Sequence, residues 1–200
     1  CLAVGHFGFG AIFSTISGLL DSVDGMVARI SGLASDAGEV LDAAIDRYVE
    51  FFFLSGLIIY YREIPVLQVL ALLALLGSFM VSYSTTKAEA LNVDPPKGSM
   101  RRPERAVYLT LGATLSAMTI PLFEIRSNFS TPIGYPMVVA LGLVAVVANV
   151  SSIGRFLSIA KDIRVREKDV TEARTRAAEK LLIEEEKNSQ VARHSADFPL

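Results

Sequence analysis

Four stretches of the chain contain no Asp, Glu, Lys or Arg: residues 1–20, 64–86, 106–123 and 127–154. Mostly apolar runs of about 18 residues or more are long enough to cross the hydrocarbon core of a bilayer as helix. The chain has 200 residues and is 52% hydrophobic, so little polar surface remains to cover such helices in a soluble core. The pattern predicts an all-α fold, a polytopic membrane helix bundle. Its spans are expected near 1–24, 38–61, 65–90, 104–124 and 134–158. The second is unusual, because its first half carries Glu39, Asp42, Asp46, Arg47 and Glu50.

Charge between the spans sets the orientation. Lys87, Lys97, Arg101, Arg102 and Arg105 follow the third run, and ten Lys or Arg residues lie from Arg155 onward. The opposite loops hold Arg62 and Arg126. By the positive-inside rule, the 87–105 loop and the C-terminus are cytoplasmic, and the 27–37 link joins them by alternation. The composition predicts a transmembrane domain over 1–161 and a charged cytoplasmic tail over 162–200, the latter with a helical pattern of Val170, Ala173, Ala177 and Leu181. The chain opens inside an apolar run without a charged leader, so a further segment with another membrane helix is expected upstream of Cys1. The net charge of −2 offers no basic excess, and no nucleic-acid partner is expected.

The charge inside the first two spans needs a different explanation. Asp21 and Asp24 are three residues apart, and Asp42 and Asp46 four apart, so each pair shares a helix face. A short link joins the two helices, which are expected to be antiparallel neighbours with the pairs facing. Each charge at membrane depth costs about 2.5–3.5 kcal/mol on insertion scales. Four carboxylates this close repel one another, and Arg29 alone cannot balance them. Divalent cations can, and hard oxygen ligands suit Mg²⁺ or Mn²⁺. Two cations about 3.5–4 Å apart would let several carboxylates share them. Gly25 and Ala28, one turn beyond Asp21 and Asp24, and Gly38 on the facing helix clear space for a ligand against the backbone. Arg29 offers several donors to phosphate oxygens. The set points to a nucleotide diphosphate lying across two helices.

Written out, Asp21-x-x-Asp24-Gly25-x-x-Ala28-Arg29, eight residues, then Gly38-x-x-x-Asp42-x-x-x-Asp46, the stretch resembles the full signature of the CDP-alcohol phosphatidyltransferases. The resemblance extends through residues 1–160 and implies six membrane helices, of which five are visible. It implies a multi-pass cell-membrane enzyme with its active site at the cytoplasmic face, and a homodimer. It also implies the reaction: a hydroxyl attacks the lipid-linked phosphorus of CDP-diacylglycerol and CMP leaves. Carried over by position, Asp21, Asp24, Asp42 and Asp46 would hold two Mg²⁺ ions, with Mn²⁺ as substitute. Asp46 would also take the proton of the attacking hydroxyl. Asp24, Gly25, Ala28, Arg29 and Gly38 would contact the CDP moiety.

The acceptor is less constrained. Ser82-Tyr83-Ser84-Thr85-Thr86-Lys87-Ala88-Glu89 and Met100-Arg101-Arg102-Pro103-Glu104-Arg105 are similar to the phosphatidylinositol-phosphate synthase branch. That branch implies a pocket for a phosphorylated alcohol built from Lys87, Arg102, Arg105 and Arg155. Inositol phosphate is the favoured acceptor and glycerol 3-phosphate the runner-up. Thr85 stands where the branch has a basic residue, and Arg101 where it has an acidic one. An alternative of another class is a cation channel or carrier, since intramembrane aspartates also mark ion pathways. Such a protein would not require glycines, an alanine and an arginine at fixed offsets from the carboxylates.

Overall fold

The computed structural model describes residues 1–32, 35–94, 98–123 and 132–196; the side chains of Ala28, Arg29, Phe123 and 182–196 are not among the described atoms. Every regular element among the described residues is helical. In chain order, a 3-10 turn at Leu2–Val4 precedes α1 (Phe7–Ile30), α2 (Asp36–Tyr60), a 3-10 turn at Tyr61–Glu63, α3 (Pro65–Ala90), α4 (Arg102–Phe123) and α5 (Tyr135–Ala196).

Local chemistry sets these boundaries. Ser35 caps α2, its hydroxyl accepting from the Gly38 N–H at 3.1 Å, and Asp36 and Glu39 in the first turn suit the positive end of the helix dipole. Pro65 opens α3 at a position where its missing N–H costs no hydrogen bond. Before α4, Glu104 folds back and accepts from the Met100 and Arg101 N–H groups at 2.7 and 3.2 Å. That back-folded cap fixes the turn, with Met100 held in the left-handed region at φ 64°.

The first of two compact units covers Cys1–Phe156. In it α1 packs against α4, and α2 against α3. The first half of α5 closes the core, with Met137, Leu141, Val144 and Ala148 fully buried. Two glycines let it come close. A Cβ on Gly112 would lie 2.7 Å from the Ala140 Cβ, and one on Gly77 would lie 3.0 Å from the Ala148 Cβ. Small residues at such crossings allow the backbone contact that helix association in lipid depends on. At the end away from the aspartates, Tyr60 and Tyr61 donate to the Pro132 and Ile133 carbonyls at 2.6 and 2.7 Å. The second unit, Leu157–Leu200, is helical through Ala196 and carries an exposed Arg176–Glu172 pair at 3.2 Å.

Among the described residues, two helices are long and apolar enough to cross a bilayer, α3 and the apolar portion of α5. α1 carries Asp21 and Asp24, α2 carries Asp42, Asp46 and Glu50, and α4 opens on Arg102, Glu104 and Arg105. Their outer faces are nevertheless apolar: Phe9, Phe13, Leu19, Phe52 and Leu111 are all more than half exposed. Exposed apolar surface on that scale calls for an apolar environment.

Candidate active site

α1 continues through Asp21 and Asp24 to Ile30, so the aspartates lie within helix and the link to α2 shortens to 31–35. Across that tight connection, Asp21 of α1 meets Asp42 and Asp46 of α2. One carboxylate oxygen from each lies within 4.8 Å of the others. Asp42 is exposed, Asp21 half-buried and Asp46 buried. Asp24 stands apart from this group: it is exposed, and its Oδ1 accepts from the Gly25 N–H at 2.7 Å. Gly38 sits in the first turn of α2, where a Cβ would press to 3.2 Å from the capping Ser35 hydroxyl. Ala28 and Arg29 belong to the last turn of α1, and their side chains lie outside the described residues.

A cation from another part of the chain reaches the cluster. Arg102, the first residue of α4, pairs through Nη1 with Asp21 Oδ2 at 3.1 Å and through Nη2 with Asp46 Oδ1. One turn along, Arg105 is 1% exposed. It donates from Nε and Nη2 to both Glu50 oxygens at 2.7 and 2.9 Å, and from Nη1 to the Met100 carbonyl at 2.7 Å. Asp42, Asp46 and Glu50 form a single stripe at four-residue spacing, and Arg102 and Arg105 a matching stripe on α4.

Of the other basic residues expected around an acceptor, Arg155 of α5 is buried, with Nη1 donating to Thr85 Oγ1 at 3.1 Å and Nη2 to the Ser99 carbonyl at 3.4 Å. Its Nε is buried without a hydrogen-bond partner. Gly98 makes room for it, since a Cβ there would lie 2.7 Å from that Nε. Lys87 is exposed in the last turn of α3. The four basic residues therefore stand in different circumstances: Arg102 on the aspartates, Arg105 on Glu50, Arg155 between α3 and the loop before α4, and Lys87 at the surface.

Sequence reasoning missed the two ion-pair rungs between α2 and α4. The stripe that continues from Asp46 to Glu50 was the available signal for the lower one. No local signal announces the upper one, because Arg102 is 81 residues from Asp21 and its contact arises only in the packed bundle.

Beside the cluster a cavity of about 650 Å³ runs between α1, α2 and α4. Its walls are mainly apolar, including Phe13, Val49, Phe52, Phe53 and Leu109, and Asp46, Glu50 and Arg102 also line it. An elongated amphiphile with a charged head has the matching polarity.

The model of the CDP-alcohol phosphatidyltransferase family matches residues 1–150. The phosphatidylinositol phosphate synthase of Mycolicibacterium smegmatis is 32% identical over 155 residues, covering 76% of this chain and 65% of that protein. The one from Corynebacterium glutamicum is 30% identical over 124 residues, covering 60% and 57%. The chain thus spans about two thirds or less of these relatives' length. Among solved structures, Mycobacterium tuberculosis phosphatidylinositol phosphate synthase with CDP-DAG bound is similar at a TM-score of 0.65 and 26% identity, covering 79% of this chain and 78% of that one. The same enzyme in complex with manganese and citrate gives the same TM-score and identity, with 75% of that chain covered. Sequence signature, helical fold and convergent carboxylates agree: the chain belongs to the CDP-alcohol phosphatidyltransferase family.

Proposed function

We propose that the protein transfers a phosphatidyl group from CDP-diacylglycerol to the hydroxyl of a small phosphorylated alcohol, with inositol phosphate favoured, and releases CMP. The observation that carries this reading is the approach of Asp21, Asp42 and Asp46 to within 4.8 Å beside an apolar cavity, in a chain of this family.

The donor set fits a hard divalent cation. Carboxylate oxygens are the ligands Mg²⁺ and Mn²⁺ prefer, and like charges this close favour a counter-cation. In this reading Asp21, Asp42 and Asp46 hold two Mg²⁺ ions, with Asp24 joining from one turn along α1. When bound, they supply neutralisation of the charge that develops on the pyrophosphate and on departing CMP. The chain's residues do the rest. Gly25, Ala28 and Gly38 leave the backbone open to the CDP moiety, and Arg29 donates to its phosphates. Asp46, deepest of the three carboxylates, accepts the proton of the attacking hydroxyl. That oxygen forms the new P–O bond, and the bond from the lipid phosphorus to the CMP oxygen breaks. The cavity between α1, α2 and α4 keeps bulk water from competing with the acceptor.

For the acceptor phosphate, Arg155 has the best credentials, being buried with an unpartnered Nε. Lys87 and Arg102 are the other cations of the acceptor pocket in this reading, and Arg105 holds the wall through Glu50. All five helices cross the bilayer in this reading. The cytoplasmic face is the one that carries the aspartates, as the basic residues of 87–105 and of the region after Arg155 require by the positive-inside rule.

The test is turnover by purified full-length protein with Mg²⁺ and CDP-diacylglycerol, offering inositol phosphate, glycerol 3-phosphate, serine and inositol in turn. CMP release with inositol phosphate is expected. No CMP with any acceptor would overturn the reading.

A further inference from the structure

We propose that Arg102 is the built-in counter-ion of the aspartate cluster, that divalent cations compete with it for Asp21 and Asp46, and that metal loading therefore hands its guanidinium to a substrate phosphate. The inference rests on the metal site of the proposed function, and it concerns a positioning residue rather than a catalytic one.

Its starting point is the double ion pair. A single guanidinium spans two helices, with Nη1 on Asp21 of α1 and Nη2 on Asp46 of α2. Three carboxylates within 4.8 Å repel one another, and Arg102 supplies the cation that keeps α1 and α2 together in metal-free protein. Both of its partners are carboxylates that a metal would also use. Three negative charges against one positive leave the cluster short of cations. Two dications reverse that balance, and the guanidinium then faces net repulsion. A phosphate oxygen entering the site becomes its nearest available partner.

The two neighbouring arginines show why Arg102 can make this exchange. Arg105 is 1% exposed and engaged by three nitrogens, so it is a fixed strut. The Arg102 side chain is 35% exposed and pairs through its two terminal nitrogens only. The backbone just before it, at Met100 and Arg101, is held by the Glu104 cap, and Pro103 follows it in the first turn of α4. The side chain can therefore swing without moving the helix. Metal and phosphate become linked in affinity: loading one raises affinity for the other, and the reverse.

Mn²⁺ binding measures this without turnover. Mn²⁺ would be titrated into the purified full chain in detergent, with the free ion followed by electron paramagnetic resonance, in wild type, Arg102→Gln and Arg102→Lys. Parallel titrations would contain inorganic phosphate as the probe anion. Arg102→Gln is expected to bind Mn²⁺ about tenfold more tightly, a coupling of ordinary size. Phosphate is expected to tighten Mn²⁺ binding in wild type and to have lost most of that effect in Arg102→Gln. Arg102→Lys, a point charge unable to span both carboxylates, should fall between the two. If Arg102→Gln does not survive purification, Arg102→Lys decides alone. Mn²⁺ affinity equal to or weaker than wild type in the variant, or an undiminished phosphate effect, overturns the inference. CMP release in the acceptor screen is a separate readout. A chain that turns over normally but shows no competition sinks this inference alone, and one that shows competition but never releases CMP sinks the proposed reaction alone.

Discussion

Arg105 meets Glu50 fork to fork, Nε on Oε1 at 2.7 Å and Nη2 on Oε2 at 2.9 Å, inside the bundle. One turn along both helices, Arg102 meets Asp46 through a single nitrogen, Nη2 on Oδ1, and turns Nη1 to Asp21 of α1. These rungs set the spacing of α2 and α4 and with it the position of Asp46. Breaking a buried pair from one side leaves an uncompensated charge and destabilises by about 3–5 kcal/mol. Glu50→Ala is therefore expected to lower the thermal unfolding midpoint in detergent strongly. Glu50→Leu combined with Arg105→Met should recover most of the loss, because well-packed apolar replacements of such pairs are close to neutral. A Glu50→Ala protein as stable as wild type would contradict the role given to this pair.

The Thr85–Arg155 contact should appear in acceptor kinetics. Thr85→Val removes the oxygen to which Arg155 Nη1 donates at 3.1 Å. A hydrogen bond to a charged group contributes about 1.5–3 kcal/mol. With Arg155 less well held, KM for the phosphorylated acceptor should rise roughly tenfold, an effect of about 1.4 kcal/mol. Little change is expected in kcat or in KM for the lipid donor. A fall in kcat with unchanged acceptor KM would place Arg155 elsewhere in the reaction.

The close crossing of α4 and α5 gives a packing prediction. A methyl on Gly112 would sit 2.7 Å from the Ala140 Cβ and 3.2 Å from the Met137 sulfur. Overpacking of this kind costs about 1–3 kcal/mol. Gly112→Ala should lose stability, and Gly142→Ala, where a Cβ meets nothing within 4 Å, should not. Equal behaviour of the two variants in thermal unfolding would contradict the packing described here.

Much of this arrangement is legible in the sequence, and what is not has identifiable causes. The uninterrupted apolar run of α3 gives its observed limits, Pro65–Ala90, because a proline opens it and no charge interrupts it before Lys87. The four-residue spacing of Asp42 and Asp46 announces a shared face, and Asp21 is found opposite it. Asp24, equally prominent in the motif and on the same side of α1, stays outside the cluster: it is exposed, and its carboxylate accepts from the Gly25 N–H. The end of α1 is displaced from the expected 24 to Ile30, because the aspartates that break the apolar pattern do not break the helix. Arg102 and Arg105 read as loop charge required by topology. Their partners, 81 and 55 residues away, become visible only once α4 lies against α1 and α2. Thr85, a departure from the related branch in sequence, has a role in the structure as the hydroxyl that receives Arg155.

Loss of one cluster carboxylate should weaken metal affinity before it abolishes the fold. Asp42 is exposed and makes no ion pair with Arg102, unlike Asp21 and Asp46. Asp42→Asn is therefore expected to retain wild-type stability while the Mg²⁺ concentration needed for half-maximal CMP release rises by about tenfold or more, in line with the loss of a charged ligand. An unchanged Mg²⁺ requirement would remove Asp42 from the site.

The central claim is that Asp21, Asp42 and Asp46 converge to hold divalent ions. Anomalous scattering from crystals soaked in Mn²⁺ tests it most directly. Peaks within metal–oxygen bonding distance of these three carboxylates, with Arg102 drawn away from Asp46, are the expected result. Well-ordered carboxylates with no anomalous peak between them, and Arg102 still in place at saturating Mn²⁺, would contradict it.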